Sequence, residues 1–329
     1  MFDPFKRKIF QAATWAGATG DITDTVIVAG APRSGTTWIA ELLREVEGYK
    51  MFNEPLFLAN YPEAREAGFS WRTHIPVRTR NPEAEAYLRK VLTGRVPLGP
   101  GWRFRHTSAS GKFIEHVTQQ RMLVKFCRAG RLLRWMLECF DVRGTLFVIR
   151  HPCAVVASQL NHGGWDSEHL DNGLGTDAAL GEVPAGVYER YSDLFASLTT
   201  RVEVLAAIWC LDYHIPLLEL EKEYPWILLP YERMVTQGAE ELQRIAAALE
   251  VDVSKEMHRQ LDEPSVSVTG QVHQNSERQL SKWRRRLSEK QIDSILRVVD
   301  EMGFSFLYGR EVEPNYKKMN RFQASNFRW

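Results

Sequence analysis

The stretch Val26–Leu43, reading VIVAGAPRSGTTWIAELL, constrains the fold of this chain more than any other. Val26-Ile27-Val28-Ala29 is an apolar run of the kind found in strands buried on both faces. The run breaks at Gly30-Ala31-Pro32-Arg33-Ser34-Gly35, and helical spacing resumes at Thr36, with Ile39, Leu42 and Leu43 on one face. Strand, glycine loop and helix form a phosphate cradle, in which backbone N–H groups converge on an anion at the positive end of the helix. A nucleoside-triphosphate loop reads G-x-x-x-x-G-K-[ST], with the lysine on the outer phosphates. Here Gly30, Gly35 and Thr37 keep the spacing, Thr36 replaces the lysine, and the basic group is Arg33, inside the loop. That departure disfavours an ordinary Mg-nucleotide hydrolase. A plain strand-to-helix turn is the simpler alternative, but it has no need of an Arg-Ser-Gly-Thr-Thr cluster of donors.

The 329 residues are enough for one large α/β domain, and the formal net charge of +1 gives no global attraction to nucleic acid. Any anion site is therefore local. Cys127, Cys139, Cys153 and Cys210 show neither CxxC nor zinc spacing, which fits reduced, buried thiols in a cytoplasmic protein without a metal. No apolar run approaches the roughly 18 residues of a membrane span. Lys6-Arg7-Lys8 is followed by a segment too short and polar for a signal peptide, and Phe2, Phe5, Ile9 and Phe10 suit a helix packed on the body, with amphipathic membrane contact as the alternative.

Strand and helix signals alternate along the chain, which predicts a three-layer α/β fold with a mostly parallel sheet of about five strands and helices on both faces. The expected organisation is a single domain over 1–329 with its core at about 24–310. Irregular insertions at about 56–118 and 163–200 would shape a pocket, and residues 311–329 form a tail mixing basic and aromatic side chains. Tyr49–Phe52, Arg121–Lys125, Thr145–Ile149 and Trp226–Pro230 read as further strands, and a long helix is expected over about Val202–Glu223.

The strand at Thr145–Ile149 ends in Arg150-His151-Pro152, where many phosphate-loop enzymes carry a metal-binding acid. Ser158 follows eight residues after Arg150. A guanidinium fork and a hydroxyl suit phosphate oxygens, so these residues form a second anion site; a structural salt bridge at Arg150 is the alternative.

Taken together these motifs resemble the sulfotransferases that use 3′-phosphoadenosine 5′-phosphosulfate (PAPS). Pro32-Arg33-Ser34-Gly35-Thr36-Thr37-Trp38 is similar to their 5′-phosphosulfate loop, and Arg150-His151-Pro152 with Ser158 to their 3′-phosphate site. Tyr231-Glu232-Arg233-Met234-Val235 and Ser281-Lys282-Trp283-Arg284 are similar to two later segments, in the same order, nearer the carbohydrate and tyrosylprotein branches than the steroid and phenol enzymes. The resemblance implies that Arg33, Ser34, Gly35, Thr36 and Thr37 hold the 5′-phosphosulfate, that Trp38 and Tyr231 meet the adenine, and that Arg150 and Ser158 hold the 3′-phosphate. Lys282, with Ser276 or Arg278, would close over the nucleotide. No metal is implied.

Sulfuryl transfer is an in-line displacement that needs a cation on the departing phosphate and a base for the acceptor proton. Lys125 and Arg33 are the candidate cations; a snorkelling surface lysine is the alternative for Lys125. Glu54, in an Asn-Glu-Pro turn, is the first candidate base, with His106, His116, His151 and His162 as rivals. The expected acceptor is a small-molecule, sugar-like or peptide hydroxyl or amine, and a homodimer is compatible with this reading. Competing classes are a phosphate-loop nucleotide kinase and a non-catalytic nucleotide-binding protein on the same fold.

Overall fold

The computed structural model describes residues 12, 21–97, 100–162, 179–219, 225–263, 265 and 276–322. Its central sheet separates two apolar cores, and alternate side chains of β1 (Val26–Gly30) feed each. Val26 and Val28 enter one cluster, Ile27 and Ala29 the other. In β5 (Gly144–Ile149), Leu146 and Val148 likewise face one core while Phe147 and Ile149 face the other. A period of two with both faces covered produces the continuous apolar runs seen in the sequence.

The other strands are β2 (Tyr49–Asn53), β3 (Trp102–Arg103), β4 (Arg121–Phe126) and β6 (Ile227–Pro230), and the order across the sheet is β3-β2-β4-β1-β5-β6. All neighbours pair in parallel except β3, which runs antiparallel to β2 through Met51–Arg103 and Phe52–Trp102. The protein is thus α/β with a mostly parallel six-stranded sheet, one strand more than the five expected. A two-residue strand has no periodicity to read, and β3 lies in the segment taken as an irregular insertion. That segment also contains the helices Pro62–Glu66, Pro82–Leu92 and Ala109–Thr118.

On one face, α1 (Thr36–Arg44) contributes Ile39, Leu42 and Leu43 to the core. On the other lie α2 (Pro152–His162) and α3 (Arg201–Leu218). After β6 come α4 (Tyr231–Thr236), α5 (Gly238–Leu249), α6 (Lys255–Asp262), α7 (Ser276–Leu280) and α8 (Glu289–Glu301). Leu242, Ile245 and Leu249 of α5 join α1, whereas α8 packs on α3. α3 is buried from Val202 to Leu217, as an all-round apolar helix must be. It starts with a capping box, in which Glu203 accepts the Thr200 N–H at 2.9 Å and donates its own N–H to Thr200 Oγ1 at 3.3 Å. The expected C-terminal extension of α3 to Glu223, the N-terminal helix, and the 163–178 part of the second insertion lie wholly or mainly outside the described residues.

One side chain of α3 reaches the loop after β1. Tyr213 is fully buried, donates its hydroxyl to Val148 O at 2.8 Å and accepts the Ala31 N–H at 3.1 Å. Removing that oxygen strands a buried amide and a buried carbonyl together. Tyr213→Phe should therefore lower stability by about 1–3 kcal/mol in urea unfolding; an unchanged midpoint would show that the bridge contributes nothing.

Candidate functional site

The parallel register brings the carboxyl ends of β1, β2, β4 and β5 to one rim, with Asn53 beside Lys125 and Gly30 beside Val148. At this rim opens a cleft of about 1300 Å³ lined by Arg33, Gly35–Trp38, Glu54, Lys125, Arg150, Ser158 and Tyr231, among others. Ten of the sequence-predicted site residues thus line the same cavity.

The loop itself turns on two left-handed residues, Arg33 at φ 71° and Gly35 at φ 101°. Gly35 needs its lack of a side chain twice over. Besides the backbone angle, a Cβ there would lie 2.5 Å from the Tyr231 ring. Ser34 faces inward: its hydroxyl donates to Ala31 O at 2.6 Å and its N–H to the same oxygen at 3.1 Å, so it braces the loop. Thr36, Thr37 and the start of α1 are left facing the cleft.

Two guanidinium groups meet on the β5 side of the loop. Arg33 Nε donates to Ser158 Oγ at 3.0 Å, and Arg150 Nη1 donates to Arg33 O at 3.1 Å. Burial and then the charge of Arg150 lower the pKa of Arg33. Arg150 lies 4.1 Å above the Tyr231 ring, and its Nε is buried without a hydrogen-bond partner. Among the described residues no carboxylate forms an ion pair with Arg150, so the salt-bridge alternative does not describe this structure. Two like charges are thus held together at the edge of the cleft. Trp38 also lines the cleft, edge-on to Tyr231 at 5.8 Å, with its indole N–H on Gln260 O at 3.3 Å.

On the β4 side lies an ion pair. Lys125 Nζ donates to Glu54 Oε1 at 2.6 Å, and the Cys127 N–H donates to Oε2 at 3.1 Å. The Glu54 N–H in turn bonds Lys125 O at 2.8 Å, locking the turns after β2 and β4 together. Glu54 sits at φ 56°, a left-handed angle uncommon for a glutamate. Burial alone would raise its pKa, but Lys125, Arg128 and the bonds from Cys127 and Lys125 hold it below the ordinary value. Burial works against the Lys125 charge as well, yet Cys127 and Glu54 lift it above the usual lysine value. Lys125 is 4% exposed, which is no snorkelling surface lysine.

Of the rival bases only His162 lines the cleft. His151 is buried and stacked on Trp283 at 4.6 Å, and His116 is buried against Trp102; burial, first of all, brings both pKa values to about 4. His106 is exposed. Lys282 does not line the cleft: it precedes the short helix Trp283–Arg286, where burial and the charges of Arg286, Arg150 and Arg285 lower its pKa. Ser276 does line it and donates to Val235 O at 3.2 Å; most of the loop before it lies outside the described residues. Sequence reasoning missed Cys127, Arg128 and Gln279. The first two stand two and three residues after Lys125, just past the end of β4, and nothing in that local sequence marks their partners.

Among the described residues no group of three or more His, Cys, Asp or Glu could hold a metal, and no helix is long and apolar enough to cross a membrane. No protein-family model and no curated protein matches the chain. Among solved structures it is similar to the sulfotransferase domain of the Synechococcus PCC 7002 olefin synthase, at 15% identity and TM-score 0.43 over 84% of this chain and 93% of that one. It is similar at 15% identity and TM-score 0.43 to the sulfotransferase domain of the curacin biosynthetic pathway, over 85% of this chain and 97% of that one. Sulfotransferase STF1 from Mycobacterium tuberculosis H37Rv matches at 10% identity and TM-score 0.40, over 90% of this chain and 80% of that one.

The Glu54–Lys125 pair has a pH signature. Because the folded-state pKa of Glu54 lies below 4.5, its contribution is complete above that ordinary value and is lost as the pH falls through the folded one. Glu54→Gln should cost about 1.5–3 kcal/mol in urea unfolding at pH 7. The gap from wild type should narrow in acid; a gap that stays constant through the acid range would mean that Glu54 carries no charge in the folded protein.

Proposed function

We propose that the chain is a sulfotransferase that takes the sulfuryl group of PAPS to a hydroxyl or amine of an acceptor. The observation that carries the reading is one cleft with two differently built flanks. On the β5 flank Arg150 pairs with no carboxylate among the described residues and donates to Arg33 O, while Arg33 Nε donates to Ser158 Oγ; on the β4 flank a cation and a carboxylate are paired. The first flank suits a nucleotide's 3′-phosphate and the loop its 5′-phosphosulfate. A fit test supports this: the guanidinium groups of Arg33 and Arg150 border the same cleft, and Arg150 Nε lacks a partner.

PAPS supplies an activated sulfuryl group whose sulfur–oxygen bond to phosphate breaks as the bond to the acceptor oxygen or nitrogen forms. In this reading Arg33, Gly35, Thr36 and Thr37 orient the donor, Trp38 and Tyr231 flank its base, and Glu54 takes the acceptor proton. Lys125 serves the departing phosphate. At rest Glu54 and Lys125 neutralise each other, so the base is weak until the lysine turns to the anion. That exchange couples donor binding to base strength.

Calorimetric titration with 3′-phosphoadenosine 5′-phosphate (PAP), ADP and ATP in chelator tests the donor. Tight binding of PAP alone is expected; preference for ATP, or a need for Mg²⁺, would transfer the case to a kinase. Arg150→Ala should weaken PAP by about 10-fold or more while changing AMP little. Given an acceptor, Glu54→Gln should cut turnover by about 10²-fold or more while PAP binds at least as tightly as to the wild type, since Lys125 no longer has to leave a carboxylate. Nucleotide binding without transfer to any acceptor would leave a binding protein.

A further inference from the structure

Arg128 lies outside every motif discussed above, yet it is 6% exposed and sits beside the candidate base. Its guanidinium carbon is 3.7 Å from the Trp71 ring centroid and 5.3 Å from that of Phe57. The two rings are 6.0 Å apart and tilted by 55°, so the guanidinium is held by an aromatic corner. From there Nη1 approaches Glu54 Oε2 at 3.9 Å. The same oxygen accepts the Cys127 N–H, and Glu54 O accepts the Phe57 N–H at 3.0 Å. Glu54 is therefore gripped from two sides by unlike cations. Lys125 holds Oε1 through a flexible stem and borders the cleft. Arg128 faces Oε2 and is stacked in place.

We infer that Arg128 is the positioning residue of Glu54: it keeps the carboxylate ionised and its Oε2 fixed when Lys125 leaves for the donor, so that Oε1 is free to take the acceptor proton. This rests on the proposed sulfuryl transfer for its catalytic meaning, but not for its electrostatics. A carboxylate that lost its one mobile counter-ion in a largely buried site would otherwise rise in pKa and pick up a proton from solvent. With Arg128 in place the released charge remains balanced, and the proton that Glu54 later accepts comes from the acceptor.

The test is ¹³C NMR titration of the Glu54 carboxyl in the PAP-bound protein, assigned with Glu54→Gln. Arg128→Gln should raise the Glu54 midpoint by about one pH unit or more, since an opposite charge at this range is removed. Arg128→Lys should restore part of that shift, and PAP affinity should change less than about twofold in both. In turnover, the acid limb of the pH profile should move up with the midpoint in Arg128→Gln. An unmoved midpoint in folded Arg128→Gln overturns the assignment. If that variant does not fold, Arg128→Lys decides: the midpoint must rise by a smaller amount, and a midpoint equal to wild type overturns the assignment too. Absence of sulfuryl transfer in the wild type would sink the proposed function while leaving the titration, and hence the Arg128–Glu54 coupling, to be read directly.

Discussion

Everything at the rim depends on β1 being sealed between β4 and β5 and buried on both faces. A strand so placed has no freedom to shift its register, because slipping by one residue would exchange the side chains that enter each core. Its end is therefore a fixed point, and the loop that follows is fixed with it. Tyr213 extends the constraint past the last residue of β1 by tying Ala31 to Val148. The loop after β1 is thus supported from behind by packing and a buried hydroxyl, and Arg33, Gly35, Thr36 and Thr37 remain on the cleft side.

The electrostatics follow from that scaffold and not from the chain as a whole, whose net charge is +1. Positive groups are gathered locally because three strand ends in a row each finish in a basic segment: Arg33 after β1, Lys125 and Arg128 at β4, Arg150 after β5. Their environments differ. Arg150 has an aromatic face and no carboxylate, whereas Lys125 has a carboxylate and no aromatic face. In the proposed function one arrangement would receive an anion as it stands, and the other would have to give up a partner to take one.

The parallel core was legible because long apolar runs such as Thr145–Ile149 carry their own signal, and Gly30 to Thr37 announced a loop by spacing alone. β3 was not legible, since Trp102 and Arg103 form a strand only by pairing with β2. Of the candidate site, Arg33, Arg150, Ser158, Glu54 and Lys125 were found because each ends a periodic segment or sits at a motif offset. What the sequence could not show was partnership. That Glu54 pairs with Lys125 across parallel strands, that Ser34 turns inward, and that Lys282 stays off the cleft wall are all tertiary facts. Arg128 was missed for the same reason: its aromatic partners come from a remote segment with no local pattern.

The left-handed backbone at Glu54 has a consequence for how this site could change under selection. Glycine or asparagine would adopt that angle with less strain, a relief of about 1 kcal/mol. Neither carries a carboxylate, so either would leave Lys125 buried without its partner, at a larger cost. Aspartate tolerates the angle better but is shorter by one methylene and falls short of the lysine. Position 54 is therefore held to glutamate by stability itself, the buried pair outweighing the strained turn. A laboratory lineage selected only for heat tolerance would be expected to keep the acidic group there and to accept the awkward angle with it.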